Sequence, residues 1–186
     1  MIQAYPKLSS SQVIPLGVIT NDDGVQAEGI RCLAKAAETF GDVFVVAPDR
    51  ERSASSHALT VTKPLSCKKE APIGQIDTVY SVDGTPVDCV RLAIKNILPR
   101  KPTVVLSGVN RGGNIGCDVL YSGTIAAAME AARHGYAAFA FSGCYKKQDT
   151  QYDTCAKVVQ NFLASFDKLN FHRKVLNINI PALNYA

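Results

Sequence analysis

The chain has 186 residues, about one domain at roughly 150 residues each, and a domain of that size buries roughly 70% of its unfolded surface. With 47% hydrophobic and 19% charged residues, it is neither collagen, coiled coil nor globally disordered. The net charge of +4 comes from scattered Lys and Arg, with no basic run beyond two residues. That argues against an electrostatic stripe for a stable nucleic-acid partner and is compatible with a small anionic substrate.

Residues 1–12 lack a basic n-region and an apolar h-region, so they read as an N-terminal extension to a core spanning 13–186, and a cytoplasmic location is expected. Residues 16–20 (LGVIT) form a buried-strand run. In 26–40, Ile30, Leu33, Ala34 and Ala37 recur at helical spacing before Gly41, a C-terminal stop. Residues 43–47 (VFVVA) make a second buried strand closed by Pro48, and 50–60 is a Ser-rich loop. Residues 61–82 mix β-favouring side chains with Pro and Gly, as expected of a small β-rich insertion with short or edge strands.

Thr85-Pro86 reads as an N-cap and first helical position, opening a helix through Val90, Leu92, Ala93, Ile94 and Ile97. Residues 103–106 are a strand, 107–121 a long glycine-rich loop, and 124–134 a helix stopped by Gly135. Residues 138–142 and 175–180 are strands around a helix near 150–166. Strands alternating with helices imply an α/β fold, a doubly wound, mostly parallel, Rossmann-like sheet. No apolar run approaches the ~20 residues that span a bilayer, so no membrane partner is expected. The six cysteines show no CxxC pairing and no histidine at zinc spacing, which implies reduced thiols.

Ligands of such sheets sit beyond the carboxyl ends of the strands. Three loops placed there carry oxygen-bearing side chains: Thr20-Asn21-Asp22-Asp23-Gly24, Asp49-Arg50-Glu51-Arg52-Ser53 and Ser107-Gly108-Val109-Asn110. Two carboxylates, a hydroxyl and an amide are hard donors suited to Mg²⁺, Mn²⁺ or Ca²⁺. Taken singly, Asn21 to Gly24 reads as a turn that caps the next helix, Ser53 as a solvated serine and Asn110 as a turn residue; the ligand reading gains weight when the three loops are taken together. The third loop runs on through Asn114 and several glycines to Ser122-Gly123-Thr124 at a helix start, a place where free N–H groups favour phosphate. It matches neither the dinucleotide nor the P-loop pattern. A cation beside a phosphate cradle suggests metal-assisted phosphate-ester hydrolysis. His57 reads as a solvated loop histidine, with proton donation to a leaving group as the alternative, and Asp88 with Arg91 as a local ion pair.

On these segments the sequence resembles the SurE family, metal-dependent survival-protein nucleotidases acting on nucleoside 5′- and 3′-monophosphates. The matching stretches are TNDDGVQAEG (20–29), VVAPDRERS (45–53) with Leu59-Thr60, GTPVDCV (84–90), SGVNRGGNIGCDVLYSGTIAAAME (107–130) and LNINIP (176–181), in family order. The resemblance implies that Asp22, Asp23, Ser53 and Asn110 hold one divalent cation (Mg, Mn or Ca). It further implies that Asn114, Ser122, Gly123 and Thr124 hold the substrate phosphate. Asp22 is the candidate catalytic residue, as base or nucleophile, the other possibility being unaided attack by water. Family likeness further implies a homodimer or tetramer. His57 and Ala58 replace small polar residues of the family pattern, and Arg111, Gly113 and Cys117 alter the third loop. Relatives are expected to continue past 176–181 into a C-terminal extension, so the alternative reading is a nucleotide- or metal-binding module impaired in turnover. A haloacid-dehalogenase-like phosphatase needs two aspartates separated by one residue, whereas Asp22 and Asp23 are adjacent.

Overall fold

Every residue of β1 (Leu16–Thr20) is buried, as its uninterrupted apolar run requires of a strand covered on both faces. The computed structural model describes residues 14–144, 151–166 and 174–182. The extension expected over 1–12 lies outside them. After β1 come α1 (Glu28–Ala37), β2 (Asp42–Pro48), β3 (Cys67–Lys69), β4 (Val79–Val82) and α2 (Pro86–Leu92). Then follow β5 (Val104–Arg111), α3 (Gly123–Arg133), β6 (Ala137–Cys144), α4 (Tyr152–Ala164) and β7 (Val175–Pro181).

Among the described residues the strands form one seven-stranded sheet in the order β3-β4-β2-β1-β5-β6-β7. Every neighbouring pair is parallel except β3 with β4. The stretch read as a β-rich insertion thus supplies two strands to the edge of the main sheet, and the outermost, β3, is exposed throughout and carries Lys68 and Lys69. Charged side chains on a short edge strand deter pairing with other chains.

Alternation along the central strands divides the core. Ile19, Val45, Leu106 and Phe139 face α1 and α4 in one cluster; Val18, Val46, Val105 and Ala138 face α2 and α3 in the other. On the first face Phe139 meets Phe162 and Phe166 edge to face, with ring centroids 4.6 and 5.9 Å apart. On the second, Ala127, Ala128 and Ala131 are fully buried, and their small side chains seat α3 close to the sheet.

Two elements differ from the sequence expectation. Helix α2 opens with a complete Thr85/Asp88 capping box and Pro86 in its first turn, but residues Ala93–Ile97 continue it as a wider π-helical turn. Strand β5, expected to stop at 106, runs to Arg111, because Val109 stays buried and Asn110 and Arg111 pair with Ser142 and Gly143 after a shift in register. Gly108, together with the glycines that follow the strand, disguised that extension as loop.

The strand order reverses at β1: the chain moves to β2 on one side and later returns to β5 on the other. Thr20 and Ser107 are paired across that seam, so the crevice of a doubly wound sheet opens beyond them. For the core, Phe139→Ala is expected to lower unfolding stability by roughly 3–5 kcal/mol in urea titration, the usual cost of deleting a buried aromatic ring. A loss below about 1 kcal/mol would contradict the packing described.

Candidate metal and phosphate site

Asp22 leaves β1 at the seam and is 4% exposed. Its carboxylate accepts from the Thr124 hydroxyl at 2.5 Å and from the Thr124 backbone N–H at 3.1 Å. Helix α1, by contrast, starts at Ala27 with no side-chain cap. The reading of Asp22 as cap of the helix that follows it is therefore resolved in favour of a different helix, α3. Asn21 is the turn former: its amide donates to the Gly24 carbonyl and its oxygen accepts from the Gly24 N–H.

The other loops converge on the same point. The Arg52 N–H donates to the Asp22 carbonyl at 2.7 Å, and the Arg111 N–H to the Asp23 carboxylate at 3.4 Å. Gly24, at φ +100, is needed where the first loop presses on the second, since a Cβ there would lie 3.0 Å from the Arg50 carbonyl carbon. Gly123 is needed at the start of α3: a Cβ would come within 2.8 Å of the Ser55 hydroxyl and 2.9 Å of the Asp22 Cβ.

Burial pushes the Asp22 carboxyl above its ordinary value, despite the hydrogen bonds from Thr124 that oppose it. Burial, followed by repulsion from Asp22, raises Asp23 to about 6, against the opposing Arg111 N–H. Adjacent carboxylates taken out of water and repelling one another make a site that a cation relieves. Around them, the buried hydroxyls of Thr20, Ser107 and Ser55 have no hydrogen-bond partner. Among the described residues no group of three or more His, Cys, Asp or Glu could form a metal cluster. Two carboxylates with neutral hydroxyl and amide oxygens fit a hard divalent cation and not a soft one.

The remaining residues of the expected site hold local partners. Ser53 is exposed, and its hydroxyl donates to Glu51 at 2.6 Å. Asn110 is half-buried and its amide donates to the Gly112 carbonyl at 2.8 Å. Ser122 is the N-cap of α3, accepting from the Ile125 N–H. Asn114 is buried: its amide donates to the Ser142 hydroxyl at 2.8 Å, its N–H to Asn179, and its carbonyl accepts from Asn177 and Asn179. The asparagines of β7, absent from the expected site, anchor the glycine-rich loop to the sheet.

The family model described as survival protein SurE matches residues 18–186. This chain belongs to the SurE family. Curated relatives include 5′-nucleotidase SurE of Thermosipho africanus, 44% identical over 169 residues, covering 90% of this chain and 66% of that protein. The 5′-nucleotidase SurE of Geotalea daltonii is 46% identical over 167 residues, covering 89% of this chain and 65% of the relative. The crystal structure of the SurE protein from Aquifex aeolicus superposes with a TM-score of 0.83 at 40% identity, covering 92% of this chain and 68% of that one. The chain spans 66% or less of the length of these curated relatives.

One cluster of this SurE-family chain escaped the sequence reading. Glu130, in the alanine-rich α3, is 1% exposed. Its carboxylate is met by Arg133 at 2.7 and 3.0 Å, by Arg91 at 3.1 Å, by His57 at 3.0 Å and by His134 at 3.1 Å. Arg91 therefore does not pair with Asp88, which caps α2 and accepts from the Thr60 N–H. Nor is His57 merely solvated. Burial alone would raise Glu130, but hydrogen bonds from Arg133, His57 and Arg91 outweigh it and hold the carboxyl at about 2. The available signal was a lone acid inside an apolar helix, a residue type almost never fully buried unless paired.

A carboxyl held below its ordinary 4.5 contributes stability above that value and loses it as the pH falls through about 2. Wild type is thus expected to be more stable than Glu130→Gln at neutral pH, with the gap narrowing from about pH 4.5 toward pH 2 as the Glu130 carboxyl takes up its proton. Urea midpoints across that range measure it, and a gap independent of pH would refute the assignment.

Proposed function

We propose that residues 13–186 form the core of a divalent-metal-dependent nucleotidase, a hydrolase releasing phosphate from nucleoside 5′- and 3′-monophosphates. The observation that carries this reading is the Asp22–Asp23 pair, desolvated and mutually repelling at the seam of the sheet and tied to the first turn of α3. Relatives bearing the name 5′-nucleotidase support the substrate class. Among the described residues no helix is long and apolar enough to cross a membrane. We place the protein in the cytoplasm as a homodimer or tetramer acting on a small nucleotide.

In this reading Asp22, Asp23, Ser53 and Asn110 hold the cation, whose chemistry when bound is to neutralise phosphoryl oxygens and polarise water. The chain's own contributions are positional. Asp22, fixed by both donors of Thr124, is oriented without rotational freedom. Ser122, Gly123 and Thr124 present the positive end of the α3 dipole to the phosphate. Asn114, immobilised by Ser142 and β7, holds the glycine-rich loop that closes the phosphate side. Asp22 is the candidate to take a proton from attacking water.

Phosphate release from AMP, GMP and CMP with Mn²⁺ or Mg²⁺, before and after EDTA, tests the reading. Turnover restored only by metal is expected; cation and nucleotide binding without turnover would sink the enzyme assignment. Saturating Mn²⁺ is expected to raise the melting temperature, since it binds only the folded state. Asp22→Asn and Asp23→Asn are each expected to abolish turnover and the metal-induced shift. In EDTA, Asp23→Asn is expected to melt no lower than wild type, because it removes a like charge from beside Asp22. Wild-type activity in both variants would refute the metal ligands.

A further inference from the structure

The 49–60 loop, which includes the proposed ligand Ser53, has an unfavourable backbone. Ala54 (φ 55) and Ser56 (φ 48) both adopt the left-handed conformation that an L side chain disfavours. A segment like this holds one shape only if its surroundings impose it. At its start the Arg52 N–H donates to the Asp22 carbonyl, and near its end the Thr60 N–H donates to Asp88. In the middle, Ser56 donates from its N–H to the Tyr121 carbonyl at 3.0 Å and from its hydroxyl to the Leu120 carbonyl at 2.8 Å. The next residue, His57, reaches Glu130.

The Glu130 contact differs in kind from those of Arg52 and Ser56, which end on backbone carbonyls. Its acceptor is an ionised carboxylate, and hydrogen bonds to charged acceptors are roughly twice as strong as neutral ones. That acceptor is also immobile, since Arg91, Arg133 and His134 surround it and it lies on a helix packed against the sheet. The same helix clamps Asp22 through Thr124, six residues or about 9 Å along the axis from Glu130 at 1.5 Å per residue. Helix α3 thus touches both the Asp22 loop and the Ser53 loop at a fixed separation. Ser55, half-buried with its hydroxyl against Gly123, keeps the second loop in contact with the start of that helix.

We infer that His57 and Glu130 form a positioning pair: Glu130, on the helix that fixes Asp22, holds the left-handed turn of the 49–60 loop through His57 and so sets where Ser53 stands relative to Asp22 and Asp23. The consequence for metal binding rests on the proposed function; the clamp on the loop does not. Neither side chain touches substrate in this account.

Two variants of the full chain test it. His57→Ala removes the tie, and His57→Gln keeps an N–H donor of similar reach. Amide exchange over 52–59 is expected to accelerate about tenfold in His57→Ala, with central strands unchanged, as for a local opening that loses one charge-assisted bond. The Mn²⁺ dissociation constant, read from free Mn²⁺ by electron paramagnetic resonance, is expected to rise about five- to tenfold, corresponding to most of a 1.4 kcal/mol change. kcat is expected to fall with it while KM for the nucleotide stays within about twofold, since substrate binding alone is not what the tie supports. His57→Gln is expected to recover most of both. Unchanged loop exchange in His57→Ala, or a His57→Gln chain that behaves like His57→Ala, would overturn the proposal. A wild type that binds no Mn²⁺ would instead remove the proposed function, leaving the exchange measurement to decide the clamp.

Discussion

The contact between Asp22 and Thr124 is the constraint on which the rest of the site depends. Burying a carboxylate is costly unless it is hydrogen-bonded, and here the N–H and hydroxyl of a single residue in the first turn of α3 supply the bonds. The helix dipole adds its positive end to the same carboxylate. Because β1 is held between β2 and β5 and α3 is packed on the sheet, neither partner can retreat. The contact also limits the phosphate cradle. With both Thr124 donors directed at Asp22, a cation on that carboxylate and a phosphate at that turn would be coupled through Thr124.

How much of this was legible in the chain depended on range. Buried strands announce themselves by unbroken apolar runs, and β1, β2 and β6 were found within a few residues of their ends, as was the less buried β7, whose run is interrupted by asparagines. The wound, mostly parallel sheet followed from their alternation with helices. Strand β5 was cut short because Gly108 and the residues after it carry the composition of a loop, while their pairing with β6 is decided by a strand some thirty residues away. The acids after β1 were visible as a pair. Their partner was not: Thr124 is 102 residues from Asp22, and nothing local to NDDG specifies that its carboxylate caps a later helix. Asn177 and Asn179 were similarly hidden, being read as ordinary strand residues although they hold Asn114.

Glu130 shows the same limit from the opposite direction. Helical periodicity says which face of α3 meets the sheet, but not what the neighbouring helix and loop bring to its flank. Four cationic or titratable side chains from the 49–60 loop, α2 and the end of α3 arrive there, and only the two at 133 and 134 are near Glu130 in sequence. Charge is thereby segregated within one small volume. The crevice above Asp22 and Asp23 is acidic, while the flank of α3 two turns below carries a surplus of positive charge around one buried carboxylate.

That segregation explains why a buried charge is tolerated where an apolar side chain would fill the space. Buried ion clusters add little net stability over a hydrophobic replacement of similar volume, because desolvation consumes most of the Coulomb gain. A Leu at 130 would pack against the same alanines, yet it would offer nothing directional to His57 or Arg91. A carboxylate accepts along defined directions, and Arg133, Arg91 and His57 each occupy one of them. The loop beyond β2 contains two left-handed residues, Ala54 and Ser56, a shape that persists only where the surroundings impose it. The ionised glutamate supplies one directional contact to that loop through His57, and the element that carries it is the one already fixed to Asp22.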